Sequence, residues 1–341
     1  MNFFKNEINK FLKNNKIIKS LYYSKLFLLL IFCSICFEIV YFQKLNNLIF
    51  ATKKQIFSSS NEKKSFEKNF EYHNYERELI TEKIQNFAGY ELYDNEPYFL
   101  NGIIRKFKPK KCLEIGVSQG GSSIVILNAI KDDNNSFLIS LDLNDNLYYN
   151  ESLKTGYKVK KYFPELAYNK WKLYTGRQPH IFLSLLKLKF DFLFLDTFHL
   201  APGELINLIE VLPFLGDNAI IVLHDIMFHL PSLNYYNPKS IKFHPSNIYL
   251  MTSLIGEKII IHNSQKCLEN MGAIILYPNQ EKYYLNYFLL LLSPWDYLPK
   301  KSFIKELRRF IKGYYKKDIY LELFDKSVEE NSLYVKKSNI I

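Results

Sequence analysis

Two apolar runs in the chain each end in a pair of ionisable residues. In FDFLFLDTFHL the run ends at Asp196, and His199 follows three residues later. In GDNAIIVLHDI the run ends at His224 and Asp225. Carboxylates beside an imidazole suit a hard or borderline divalent metal ion, and an imidazole that is neutral near pH 7 suits a general base. The alternative is a purely structural role, in which the aspartates cap neighbouring helices and His224 packs in a core.

A glycine-rich loop follows a third apolar run, in KCLEIGVSQGGSS. Glu114 lies within the run, and Gly116, Gly120, Gly121 and Ser122 come after it. Apolar residues then recur with helical spacing, so the stretch predicts a buried strand, a tight loop and a helix N-terminus. Glycine lets the backbone turn sharply and lets a ligand approach closely, and the helix N-terminus adds unpaired N–H groups. The spacing fits the dinucleotide fingerprint G-x-G-x-x-G poorly.

Two further stretches place polar groups after predicted strands. Asp142, in SLDLN, lies 26 residues after Gly116. A carboxylate at that position can accept hydrogen bonds from both ribose hydroxyls of a nucleotide, although the same geometry serves NAD enzymes and an ordinary loop aspartate remains an alternative. Thr175 and Gly176, in YTGRQPH, follow the next predicted strand.

The elements that must position these residues alternate between strand and helix from about 113 to 226. Alternation of this kind predicts a parallel sheet with right-handed crossovers and ligands at the carboxyl ends of its strands. Two later apolar runs predict a closing antiparallel hairpin. The predicted strands are Cys112–Ile115, Phe137–Leu141, Lys172–Tyr174, Phe192–Leu195, Ala219–Leu223, Glu257–His262 and Met271–Tyr277.

Together these stretches resemble the class I S-adenosylmethionine (SAM)-dependent methyltransferases, and among them the catechol-type and macrolide-sugar O-methyltransferases. The resemblance covers roughly Tyr98–Asp225 and extends more loosely to about Tyr277. It implies an α/β fold, with a Rossmann-like, doubly wound, mostly parallel sheet, helices on both faces and the closing hairpin. It also implies that SAM binds at the glycine loop and the next two strand ends. The cofactor-binding residues implied are Glu114, Gly116, Gly120, Gly121, Ser122, Asp142, Thr175 and Gly176.

The resemblance also implies roles for the acids and histidines. Asp196, His224 and Asp225 would hold Mg²⁺, and His199 would deprotonate a hydroxyl of a small-molecule or sugar acceptor. His224 stands where the metal-dependent members usually carry an acid. The expected function is SAM-dependent O-methylation. The alternatives are an NAD-linked Rossmann oxidoreductase, which the loop spacing disfavours, and a membrane-tethered, non-catalytic binding protein of the same fold.

Composition and the N-terminal region set further bounds. The 341 residues carry a net charge of +11 and are 48% hydrophobic, enough for a large core. With no arginine-rich cluster or nucleic-acid motif, we predict no nucleic-acid binding. Leu26–Phe42 is apolar except for two residues, and its 17 residues fall short of the roughly 20 that a membrane span needs. Three interpretations stay open for it: a membrane anchor, an interfacial helix, or a helix buried in a homo-oligomer.

The predicted organisation has three parts. Residues 1–74 form a basic segment with the apolar stretch and a polar linker, 75–282 form the methyltransferase domain, and 283–341 form a helical extension. Phe303–Tyr315 predicts a basic amphipathic helix, and we expect a mobile tail from Lys326. The lysine distribution favours a cytoplasmic N-terminus, and because a true span would separate the domain from cytoplasmic SAM, we expect a cytoplasmic enzyme, with membrane association through 26–42 left open.

Overall fold

The computed structural model describes residues 82–88, 91–92, 95–226, 246–260 and 270–338. All of them belong to one compact unit, 72–341. The apolar stretch Leu26–Phe42 lies outside the described residues, so its three interpretations stay predictions. Among the helices that are described, none is both long enough and apolar enough to cross a bilayer.

A seven-stranded sheet forms the centre of this unit, in the order β5-β2-β1-β6-β7-β9-β8. The pairs β1–β2, β1–β6, β2–β5 and β6–β7 are parallel, whereas β7–β9 and β8–β9 are antiparallel. The predicted fold class, including the closing hairpin, is therefore confirmed. The strands are β1 Lys111–Ile115, β2 Phe137–Asp142, β3 Asn146–Leu147, β4 Asn150–Lys154, β5 Trp171–Thr175, β6 Phe190–Leu195, β7 Leu215–Leu223, β8 Gly256–Ile260 and β9 Gly272–Leu276.

Helices cover both faces of the sheet. Side chains alternate along each strand, so Leu113 and Ile115 point into one core and Cys112 into the other. The first core is closed by α6, α7 and the C-terminal helices, and the second by α1 to α3. The helices are α1 Glu82–Ala88, α2 Glu96–Phe107, α3 Gly121–Ile130, α4 Tyr157–Tyr162, α5 Pro164–Lys170, α6 Pro179–Leu186, α7 Gly203–Val211, α8 Ser246–Ser253, α9 Tyr284–Leu289, α10 Lys301–Tyr314 and α11 Asp318–Ser338.

The carboxyl ends of β1, β2, β6 and β7 meet at one edge of the sheet. The order of the strands reverses at β1: the chain runs outward from β1 through β2 to β5 and then returns to β6, on the other side of β1. Backbone hydrogen bonds tie the ends together: Asp196 N donates to Ile115 O at 3.0 Å, and His224 N donates to Leu195 O at 3.2 Å. This edge is where ligands bind in open α/β sheets.

The structure differs from the sequence-based expectation in three places. Strand β7 starts at Leu215 rather than Ala219, because Leu215 already pairs with Phe190 across an irregularity in the β6–β7 register. The small hairpin β3–β4 was not predicted; its residues are mostly exposed and carry little apolar alternation. The prediction of a mobile tail from Lys326 is wrong, because α11 continues to Ser338 and buries Asn331 against Trp295.

Candidate active site

Two glycines of the loop between β1 and α3 lie so close to neighbouring protein atoms that no side chain would fit. Gly116 has φ +90°, and a Cβ built on it would lie 1.7 Å from the carbonyl oxygen of Asp196. Gly120 has φ +101°, and its Cβ would lie 2.6 Å from Val159 Cγ2. Only glycine adopts such φ values at no steric cost. The loop is therefore locked against the end of β6, which carries Asp196.

Beneath the loop, Glu114 and Ser122 contact each other. Ser122 Oγ and Ser123 Oγ each donate to the Glu114 carboxylate at 2.6 Å, and Ser140 Oγ donates to it as well. Glu114 is fully buried. Burial raises its pKa to about 7, although the three hydroxyl donors oppose the shift. This network ties β1 and β2 to the start of α3 and so fixes the loop from below.

Asp142 at the end of β2 contacts the glycine loop directly. Its Oδ2 accepts hydrogen bonds from Val117 N at 2.9 Å and Ser118 N at 3.2 Å, and its Oδ1 accepts one from Asn144 N at 2.9 Å. A carboxylate has about four acceptor sites. One site remains, at the edge of the sheet, whereas the sequence-based prediction was that Asp142 accepts hydrogen bonds from both ribose hydroxyls.

Thr175 and Gly176 lie beside Asp142, as the predicted strand order requires. Thr175 pairs with Asp142 in the β2–β5 register, and Gly176 N donates to Asp142 O at 3.1 Å. Thr175 Oγ1 donates to Asp145 in the following loop. The loop after β5 and the loop after β2 thus form a continuous polar edge next to the glycine loop.

A third acid whose side chain contacts the glycine loop was missed by the sequence analysis. Glu91, which precedes α2, accepts hydrogen bonds from Gln119 N at 2.6 Å and from Gly121 N. These are amide groups at the N-terminus of α3, which no residue of the helix itself can satisfy. Burial raises the pKa of Glu91, while these donors oppose the shift. The sequence separation of 28 to 30 residues left no local signal for this contact.

Around His199, acids face both ring nitrogens. Its Nε2 lies 2.9 Å from Asp225 Oδ2 and 3.9 Å from Asp196 Oδ1. Its Nδ1 lies 3.1 Å from Oε1 of Glu204, a residue of α7 that is fully buried. Burial alone would lower the pKa of His199, but hydrogen bonds to Asp225 and Glu204 raise it to about 10. In this arrangement the imidazole holds its proton near neutral pH.

His224 lies behind this pair and is only 3% exposed. Its Nε2 is 3.0 Å from Oε2 of Glu96, at the start of α2. Its Nδ1 is 3.2 Å from Asp196 Oδ2 and 3.6 Å from Asp225 Oδ2. The Nδ1 atom is nevertheless buried without a well-aligned hydrogen bond. Burial disfavours its charged form, but Asp196 and Glu96 raise the His224 pKa well above its usual value.

Asp225 is held in an unusual backbone conformation at the end of β7. Its φ is +51°, in the left-handed region that residues other than glycine seldom adopt. Asn270 Nδ2 donates a hydrogen bond to Asp225 Oδ1 at 2.6 Å, and the other carboxylate oxygen, Oδ2, faces the two histidines. Burial opposes its ionisation, yet His199 and His224 lower its pKa to about 2. The strained backbone and the amide together aim one carboxylate oxygen at the centre of the cluster.

The donor set fits a divalent cation. Ligand atoms of Asp196, His199 and Asp225 all lie within 4.8 Å of one another. His224 adds a buried Nδ1 that faces Asp196 and Asp225, while Glu96 contacts its other nitrogen. A histidine ligand held by a carboxylate on its far nitrogen is a common arrangement in metal sites. This three-residue group differs at one position from the ligands predicted from the sequence: it contains His199, the predicted base, whereas the predicted ligand His224 contacts Asp196 and Asp225 from behind.

Sequence reasoning missed Glu96 and Glu204, the acids that contact the two histidines from behind. Glu96 is 128 residues from His224 and belongs to a helix that precedes the sheet. Glu204 follows His199 by five residues, but it lies in the first turn of a helix, where an acid is favoured for reasons of its own. Neither carries a motif that distinguishes it from an exposed helical acid.

Comparison with known proteins identifies the domain. Residues 113–226 match the family model described as a methyltransferase domain. This segment runs from β1 through β7 and contains the glycine loop, Asp142 and the acid–histidine cluster. Residues 113–226 therefore carry a methyltransferase domain. No curated protein sequence is similar enough to the chain to count as a match.

Several solved structures are similar to this methyltransferase domain at low identity. The O-methyltransferase TomG from Streptomyces achromogenes, in complex with SAM, is 15% identical, with a TM-score of 0.41 over 57% of this chain and 90% of that one. An O-methyltransferase from Bacillus cereus, in complex with SAH, is 14% identical, with a TM-score of 0.41 over 58% and 90%. A methyltransferase from Geobacter sulfurreducens is 14% identical, with a TM-score of 0.41 over 60% and 94%.

Proposed function

We propose that the chain transfers the methyl group of SAM to a hydroxyl oxygen of a small molecule or sugar. The observation that carries this proposal is the cluster of Asp196, His199, His224 and Asp225 beside the glycine loop. Acids and imidazoles at the cofactor edge can bind and deprotonate a hydroxyl group, and the glycine loop lacks the G-x-G-x-x-G spacing expected of an NAD-linked enzyme. Gly116 of the glycine loop contacts the backbone of Asp196, so the predicted cofactor site and the acid–histidine cluster lie next to each other.

In this proposal the glycine loop and Asp142 hold SAM. When bound, SAM supplies a methyl group on a sulfonium, which is already activated for transfer. Gly116, Gly120 and Gly121 let the loop pack closely against neighbouring protein atoms, which shapes the cofactor site, and the remaining acceptor site of Asp142 accepts from the ribose. Thr175 and Gly176 border the adenine side. Glu114 and Ser122, which bond to each other, serve by holding the loop in shape.

The cluster positions and deprotonates the acceptor. Asp196, Asp225 and His224 Nδ1 would hold a divalent cation, which when bound lowers the pKa of a coordinated hydroxyl. The carboxylate charges of Asp196 and Asp225 now raise the His199 pKa, so engaging them with a cation would lower it again. His199 Nε2 would accept the proton of the hydroxyl, and Glu204 at Nδ1 would stabilise the imidazolium that forms.

Methyl transfer from labelled SAM to a panel of hydroxylated acceptors tests this function. The panel contains catechols, flavonoids and free or nucleotide-linked sugars, each assayed with added Mg²⁺ and with EDTA. We expect transfer to at least one hydroxyl, reversible inhibition by EDTA, and partial rescue of an Asp225→Ala variant by excess Mg²⁺. Transfer that is insensitive to EDTA and unchanged in Asp225→Ala would contradict the metal site and, because the cation is what lowers the His199 pKa in this proposal, would also contradict His199 as the base.

A further inference from the structure

A row of basic side chains lies along the outer face of α10. Lys301, Lys305, Arg309 and Lys312 are all exposed. At about 100° per residue they fall within an arc of roughly 80° on the helix, and the row extends about 16 Å. We call these four residues the basic stripe. Glu306 is the one acidic residue of α10, and it lies outside this arc.

The opposite face of α10 anchors the helix to the domain. Leu307, Phe310 and Ile311 are buried in the same core as β6 and β7. Phe310 stacks on Phe214, with ring centroids 6.2 Å apart. Arg308 forms a two-pronged ion pair with Asp325 of α11, at 2.5 and 2.7 Å. The stripe is therefore presented on a fixed support.

The stripe is locally unbalanced in charge. Residues 300–317 contain eight lysines and arginines and a single acid. Arg308 has its partner in Asp325, but among the described residues no ion pair involves the four side chains of the stripe. Like charges at this spacing repel one another, which costs stability unless an anionic partner is present. The arrangement thus points to an extended anionic surface outside the chain.

We propose that the basic stripe docks the domain on a bilayer that contains anionic phospholipids. A straight row of cations along one face of a helix matches a flat array of headgroup charges. The chain also contains the apolar Leu26–Phe42 stretch, with six lysines before it. A basic patch combined with an apolar segment gives the two signals that stable membrane association needs.

Nucleic acid fits the stripe less well. Sequence-tolerant binding of single strands relies on aromatic side chains that stack on bases. In α10, Phe310 is buried in the core and Phe303 is half-buried against it, so Tyr314 is the one exposed aromatic residue of this helix. The basic stripe provides a line of positive charge but no exposed aromatic ring on which a base could stack. A surface of lipid headgroups requires only the charge.

Sedimentation of the full-length chain with vesicles tests the proposal. The vesicles contain phosphatidylcholine alone or phosphatidylcholine with 40% phosphatidylglycerol, a composition chosen to give roughly one anionic lipid in every two or three. The stripe variant carries K301Q, K305Q, R309Q and K312Q. A matched control removes the same charge from exposed lysines elsewhere, with K131Q, K154Q, K160Q and K172Q. SAM affinity serves as the check that both variants fold.

Each basic side chain near an anionic surface contributes about 1 kcal/mol, or roughly fivefold in affinity. We therefore expect the stripe variant to bind phosphatidylglycerol vesicles at least tenfold more weakly than the parent, and the control less than twofold more weakly. The parent's binding should also fall as salt is raised, since salt screens exposed charges. Equal losses in the two variants, or equal binding of the parent to both vesicle types, would overturn the proposal. So would tighter stripe-dependent binding to a random-sequence RNA than to the anionic vesicles.

Discussion

Replacing Glu96 with glutamine should weaken divalent-metal binding without touching a metal ligand. Glu96 Oε2 lies 3.0 Å from His224 Nε2, and the two side chains are 8% and 4% exposed. Glutamine keeps the size and one acceptor oxygen but removes the negative charge. His224 then loses the partner that orients its ring and makes Nδ1 more basic. Loss of such a partner typically lowers metal affinity about 10- to 100-fold.

The same change should also lower stability, by an amount that can be estimated. A hydrogen bond to a charged group contributes roughly 1.5–3 kcal/mol. For a domain of this size, 1 kcal/mol shifts Tm by about 2–4 °C, so Glu96→Gln should melt roughly 3–12 °C below the parent. A shift at the lower end would mean that the amide of glutamine replaces most of the interaction.

Calorimetric titration with Mn²⁺ and Mg²⁺, together with thermal unfolding, measures both effects. Glu165→Gln is the matched control, because Glu165 is an exposed acid in the first turn of α5. We expect the control to keep the parent's metal affinity and Tm. If Glu96→Gln lowers Tm but binds metal as tightly as the parent, Glu96 only packs against His224, and His224 is not a ligand.

Three further predictions follow from the described contacts. Gly116→Val should abolish SAM binding in calorimetry, because its side chain would overlap the Asp196 carbonyl at a φ of +90°; retained affinity would mean that the loop can move away from β6. Glu114→Gln should flatten the pH dependence of stability: since the folded pKa is raised to about 7, the parent loses stability as pH rises from the unfolded value near 4.5 through 7, and urea midpoints at pH 5 and 8 should differ less in the variant. His199→Ala should keep SAM and metal affinity while turnover falls on the order of 10²–10⁴-fold, and a smaller loss would argue against a base at this position.

The fold could be predicted because its signals are local and repeated. Apolar runs such as FDFLFL and AIIVL indicate strands that are buried on both faces of a parallel sheet. The glycines after β1 indicate a turn that needs positive φ. Strand ends then place Asp196, His224 and Asp225 at one edge by topology alone. The convergence of these residues followed from the order of elements rather than from any contact visible in the sequence.

The contacts between distant elements could not be predicted in the same way. Glu96, Glu204 and Glu91 each begin or precede a helix, where acids occur for local reasons, and their partners are set by how α2 and α7 pack on the sheet. The charge state of His199 is a further example. An isolated histidine predicts a neutral base, whereas Asp225 and Glu204 on its two nitrogens raise its pKa to about 10.

Calorimetric titration of the parent and of an Asp142→Ala variant with SAM and with NAD shows which cofactor binds at the ends of β1 and β2. We expect the parent to bind SAM and not NAD. Asp142→Ala should bind SAM roughly 10- to 150-fold more weakly, as expected for a lost charged hydrogen bond of about 1.5–3 kcal/mol and a loosened loop at Val117 and Ser118. Binding of NAD by the parent, or equal SAM affinity in both proteins, would contradict this expectation.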